Sequence, residues 1–105
     1  SAKEVVVKRQ KLVDAGADVV GVNCLWQPER QLEAARQMRA AVDVPVCCQP
    51  SAWHSWWDPP DAVPPEAFAA FASDAVDAGI GFVGACCGAG PEHIHAMAKG
   101  LGKAD

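Results

Sequence analysis

A twelve-residue pattern recurs in this chain. Residues 13–24 read Val-Asp-Ala-Gly-Ala-Asp-Val-Val-Gly-Val-Asn-Cys, and residues 76–87 read Val-Asp-Ala-Gly-Ile-Gly-Phe-Val-Gly-Ala-Cys-Cys. At an offset of 63 they agree at seven of twelve positions. Each copy runs from a helix end through a glycine into a short apolar strand, and leaves the strand at a thiol. Cys24 and Cys87 are therefore expected at equivalent positions, the carboxyl ends of two strands.

A third run of the same kind, Val44-Pro45-Val46-Cys47-Cys48-Gln49, lies between the copies. All three runs are apolar in the middle without polar alternation, which predicts a parallel sheet covered on both faces. Helical periodicity separates them. Phe68, Phe71, Ala72, Ala75 and Val76 share one helical face, as do Ile94, Met97, Ala98 and Leu101, and, less cleanly, Leu32, Ala35, Met38 and Val42. Pro65 and Pro91 suit first helical turns, and Gly16 and Gly79 suit left-handed caps. Residues 3–15 are read as a helix despite the poorly helical Val5-Val6-Val7. The order α-β-α-β-α-β-α, with strands starting near residues 18, 44 and 80, fits βαβ units with right-handed crossovers.

Alternate strands of a (β/α)8 barrel contribute side chains to one interior layer. In such a barrel the first and third strands here would aim Cys24 and Cys87 at the same mouth, with Cys86 adding a third sulfur. Three thiolates with a fourth position open form the ligand set that catalytic zinc uses.

Composition narrows the alternatives. Nine basic against thirteen acidic side chains leave a net charge of −4, which offers no basic footprint for nucleic acid. No apolar window reaches membrane-spanning length, and the charged opening Ser1-Ala2-Lys3-Glu4 has no signal-peptide core. Five cysteines in such a chain are expected to be reduced thiols, in metal or redox chemistry, and the expected location is cytoplasmic.

Three blocks resemble the homocysteine S-methyltransferase family: Gly21-Val22-Asn23-Cys24, Pro45-Val46-Cys47-Cys48-Gln49-Pro50-Ser51, and Gly84-Ala85-Cys86-Cys87-Gly88-Ala89-Gly90-Pro91-Glu92-His93-Ile94. The family carries a Gly-x-Asn-Cys strand end, a Pro-Val-x-x-x-Pro-Asn strand and a Gly-Gly-Cys-Cys-Gly-Thr/Ser-x-Pro-x-His-Ile signature in that order. The resemblance implies a (β/α)8 barrel whose last three strands are these. It also implies zinc on Cys24, Cys86 and Cys87, and transfer of a methyl group to the homocysteine thiol, giving methionine. A free thiol near pKa ~8.5 is mostly protonated at neutral pH, whereas a metal-bound one is deprotonated. Asn23 and Gly88 are the candidate substrate contacts. S-methylmethionine, S-adenosylmethionine, betaine and methylcobalamin are not distinguished as donors.

This chain departs from the family pattern without losing a ligand. Ala85 stands for a glycine, Ala89 for a hydroxyl residue, Ser51 for an asparagine and Trp53 for a glycine, and Leu25-Trp26-Gln27-Pro28 replaces a Gly-Pro turn. The family's first-half strand motif and its acidic homocysteine-holding residues have no counterpart. A (β/α)8 barrel needs about 250 residues, so residues 1–105 read as a partial domain with open sheet edges and an open apolar face. Two other functions stay in view. One is a catalytically incomplete zinc-binding fragment that needs a complementing chain or associates with itself. The other is a thiol redox or metal-buffering module, which the lack of a Cys-x-x-Cys motif ranks last.

The remaining candidates carry milder expectations. Cys47 and Cys48 read as packing residues on opposite faces of their strand. His93 and His95 read as surface or capping residues. Gly88-Ala89-Gly90-Pro91 is either an anion-binding turn or a plain turn. The Trp53-His54-Ser55-Trp56-Trp57-Asp58 loop is either packing surface or an aromatic cover for a cationic donor.

Overall fold

The computed structural model describes residues 2–53 and 63–105. Its elements run α1 (Ala2–Asp14), β1 (Val20–Asn23), α2 (Pro28–Ala41), β2 (Val46–Gln49), α3 (Pro65–Asp77), β3 (Phe82–Val83) and α4 (Pro91–Gly100). The α-β-α-β-α-β-α order read from periodicity is the order observed. Three helices open on a proline at their first turn, where the missing N–H leaves no bond unmade. Gly16 and Gly79 end helices with φ of 110° and 84°, a conformation that a Cβ disfavours.

The strands form one parallel sheet in the order β1-β2-β3. Val22, Cys48 and Val83 lie in register across it. Continuing that register brings Ala85, not Cys87, level with Cys24. The two thiols are therefore not equivalent by sheet pairing: Cys87 sits two residues further along its strand exit. A stagger of this kind is what strand tilt produces across neighbouring parallel strands.

Alternation along the strands sends Val20, Val22, Val46 and Cys48 into the core, where Met38, Phe68 and Phe71 meet them. Gly21, Asn23, Cys47 and Gln49 take the opposite face and are half-buried or exposed. That face differs from the two-sided burial expected of the sheet. Among the described residues the buried core lies on one side only, and Phe82 remains 54% exposed. The cause is strand number: three short parallel strands have too little twist and length to fold back over themselves.

Two helices also depart from their expected faces. Phe68, Phe71, Ala72 and Ala75 are buried, but Val76 is not; Met97 is buried, but Ile94 is not. The less regular Leu32, Ala35, Met38 and Val42 stripe is buried throughout, because α2 packs across both β1 and β2. Among the described residues no helix is long and apolar enough to cross a membrane.

Candidate metal centre

The three strands exit at the same end of the sheet, and their exit segments are laced by backbone hydrogen bonds. Cys24 N–H donates to Gln49 O at 3.0 Å and Ser51 N–H to Trp26 O at 3.0 Å, which ties the β1 exit to the β2 exit. Cys86 N–H donates to Pro50 O at 2.9 Å and Ala52 N–H to Cys87 O at 2.8 Å, which ties the β2 exit to the β3 exit. Ser51 Oγ adds a bond to the same Cys87 carbonyl at 3.1 Å. The segment after β2 is thus the bridge that brings residues 24 and 86–87 together.

At this junction the sulfurs of Cys24, Cys86 and Cys87 all lie within 4.8 Å of one another. Cys87 Sγ is 3.1 Å from Cys24 Sγ, and the Cys87 N–H points at the same sulfur over 3.5 Å. Cys24 and Cys86 are joined as a disulfide, with their Cα atoms 5.6 Å apart. This corrects the expectation of reduced thiols. The same convergence that suits a shared metal brings these two sulfurs within bonding reach. Cys24 and Cys86 are half-buried and Cys87 is exposed, so the cluster opens to solvent on the Cys87 side.

The donor set fits zinc. Three thiolates each about 2.3 Å from one tetrahedral ion stand ~3.8 Å apart. A small separation of Cys24 from Cys86 reaches that spacing from the arrangement observed.

Other candidates fall near the cluster or away from it. Asn23, the last residue of β1, is exposed on the open sheet face opposite Gln49. Gly88 adjoins Cys87 with φ of 84° and lies under the Trp53 indole. The Gly90 N–H that opens α4 is taken by His93 Nδ1 at 3.0 Å, and the Glu92 carboxylate crowds Gly90. The first turn of α4 therefore already has an acceptor and a negative charge. His93 thus has the capping role expected of it but is buried, not on the surface: its Nε2 reaches Val63 O at 2.8 Å and its ring stands edge-on to Phe68. Because Nδ1 accepts, Nε2 carries the proton. His95 is exposed.

Cys48 is fully buried in the core, whereas Cys47 lies on the open face. Burial, and secondarily the neighbouring Cys47, pushes the Cys48 thiol up to about 12 despite a hydrogen bond from Gln31, and burial also raises Cys47. Neither belongs to the three-cysteine cluster. Of the aromatic loop only Trp53 falls within the described residues; His54, Ser55, Trp56, Trp57 and Asp58 lie outside them.

Sequence reasoning missed two residues that shape the cluster. One is Ser51, noted only as a departure from the family pattern. The other is Gln31, fully buried in α2. Its signal was present: Gln31 shares a helical face with Ala35, Met38 and Val42, and a polar residue on an apolar stripe calls for a buried partner.

The sequence matches the homocysteine S-methyltransferase family over residues 1–101. It is 35% identical to a betaine–homocysteine S-methyltransferase of Danio rerio, covering 87% of this chain and 28% of that protein. It is 32% identical to an S-methylmethionine–homocysteine S-methyltransferase of Pongo abelii, covering 87% of this chain and 31% of that protein. The chain thus spans under a third of the length of these relatives. A match over residues 1–101 shows that the chain belongs to the homocysteine S-methyltransferase family.

Proposed function

We propose that the chain carries the zinc-binding end of a homocysteine S-methyltransferase. It would be the last three strands of a (β/α)8 barrel, in which Cys24, Cys86 and Cys87 hold the ion. The observation that carries this reading is the convergence of three cysteine sulfurs, from two different strand exits, within 4.8 Å. A bound zinc ion supplies a Lewis acid that keeps a substrate thiol deprotonated at neutral pH. The protein's own part would be to supply three thiolates to one ion, with Cys87 on the exposed side of the cluster. Three thiolates also leave the site net negative, which preserves the nucleophilicity of a sulfur bound there. Homocysteine sulfur then gains the methyl group while the donor's bond to that methyl breaks, giving methionine. Asn23 and Gly88, each next to a cysteine of the cluster in sequence, are the substrate contacts in this reading.

The names of the relatives offer betaine and S-methylmethionine as donors. S-adenosylmethionine and methylcobalamin remain alternatives of the same chemistry. The thiolates require a reducing compartment, the cytoplasm in this reading. The test uses the full protein: one zinc per chain, three thiolate ligands in the cobalt-substituted form, and homocysteine-dependent methionine formation with each donor in turn. Fewer than three thiolates, or no methionine from any donor, sinks the reading.

The open sheet face supports a second reading, in which these residues bind zinc but turn over only when other strands cover that face. Adding a complementing chain to residues 1–105 separates the two: activity only in the mixture favours the second.

A further inference from the structure

Cys24 is the one non-glycine residue with a positive φ, 61°, among the described residues. An L-residue adopts that conformation only when its surroundings impose it. The cysteine's own backbone N–H bond to Gln49 fixes just one side of the turn. The other constraint comes from α2. Gln31, with no exposed surface, accepts from Leu25 N–H at 3.1 Å and Trp26 N–H at 3.0 Å through Oε1, and donates to Val22 O at 3.0 Å through Nε2. One amide thus grips the chain two residues before Cys24 and one and two residues after it. No backbone acceptor takes the Leu25 or Trp26 N–H among the described residues. Removing the amide would leave both donors unpaired beside the core.

Cys86 and Cys87 have anchors of their own in Pro50, Ser51 and Ala52. The Cys24 sulfur is held by Cys86 and Cys87, and its backbone by Gln49, by the Ser51 N–H bond to Trp26 O two residues on, and by the Gln31 amide on both sides of the turn. We propose that Gln31 is a positioning residue of the three-cysteine cluster, holding Cys24 in the left-handed turn that aims its sulfur at Cys86 and Cys87. The inference rests on the reading of these cysteines as a metal site, and adds to it a residue that never touches the ion. Groups that orient metal ligands from behind typically change affinity by about 10–100-fold when removed.

The experiment compares the full protein with Gln31→Met, which keeps length and loses the three bonds to backbone, and with Leu32→Ala, which opens a cavity in the core beside it. Zinc affinity by chelator competition and thiolate-to-cobalt band intensity are read on each. Gln31→Met should lose about 10–100-fold in affinity and fall below three thiolates, while Leu32→Ala keeps three. Equal behaviour of the two variants, or wild-type binding by Gln31→Met, overturns the proposal. Should Gln31→Met not fold, amide exchange in the wild type decides: Leu25 and Trp26 N–H should be as protected as β1, and fast exchange there overturns it. A wild-type protein with fewer than three thiolates would instead defeat the metal reading, a result distinct from the failure of Gln31 alone.

Discussion

Gly88 lies so close beneath the Trp53 indole that a Cβ on it would overlap Cδ1 and Nε1 of the ring. Its φ of 84° independently disfavours any side chain. Gly88→Ala therefore faces two separable penalties, ~1–2 kcal/mol of backbone strain and the displacement of the indole. Urea unfolding should show a loss of at least ~2 kcal/mol. Adding Trp53→Ala should recover the steric part and leave the backbone part. Simple additivity of the two single changes would show that the residues do not meet.

Ser51 stands where the family usually carries asparagine, and its hydroxyl does a defined task. Oγ donates to the Cys87 carbonyl and accepts from Trp53 N–H at 3.2 Å. Ser51→Ala should cost about 1 kcal/mol in denaturant unfolding, the usual net worth of a buried hydrogen bond. No change in unfolding midpoint would mean that the Ala52 and Trp53 N–H groups hold that carbonyl without the hydroxyl.

The pairing of Cys24 with Cys86 makes oxidation and metal binding exclusive outcomes. Treatment of the zinc-loaded protein with diamide should release the ion and yield a Cys24–Cys86 cross-link in peptide mapping, with Cys87 still open to alkylation. Reductant should restore zinc uptake. Cys87→Ser should keep the cross-link and weaken zinc binding, whereas Cys24→Ser should lose both. A cross-link through Cys87 in place of Cys86 would contradict the arrangement.

Cys48 and Cys47 differ in what an alkylating reagent should find. Burial lifts Cys48 from about 9 to about 12 and also raises Cys47. The folded state therefore keeps the Cys48 proton after the unfolded chain has released it, so its contribution to stability is complete below pH ~9 and falls between ~9 and ~12. Unfolding midpoints should decline over that window, and less steeply in Cys48→Ala. Iodoacetamide should spare Cys48 in the native protein at pH 9 while labelling Cys87. Equal labelling of the two would show that Cys48 is not in the core.

Much of the architecture was readable from residue order. The apolar runs at 18–23, 44–49 and 80–85 contain all three strands, and Pro65, Pro91, Gly16 and Gly79 mark helix ends where the structure has them. The convergence of three cysteines was readable too, because the repeat flagged Cys24 and Cys87 and Cys86 adjoins Cys87. The buried histidine was less so. His93 sits on a polar-looking first turn, and only its bonds to Gly90 and Val63, at sequence separations of 3 and 30, make it an interior residue.

Local chemistry decided where this chain turns, which stretches are helix or strand, and which side chains are able to ligate a soft metal. These follow from periodicity, proline and glycine conformational limits and thiol donor chemistry, all of which act over a few residues. Tertiary structure alone decided how far each strand exit runs before its cysteine: the sheet register sets Cys87 two residues past the level of Cys24, yet their sulfurs lie 3.1 Å apart. It also decided that Gln31 and Ser51 support the cluster, since hydrogen bonds between separate elements form only after those elements pack. A repeat can name the thiols; only the laced strand exits bring them to one point.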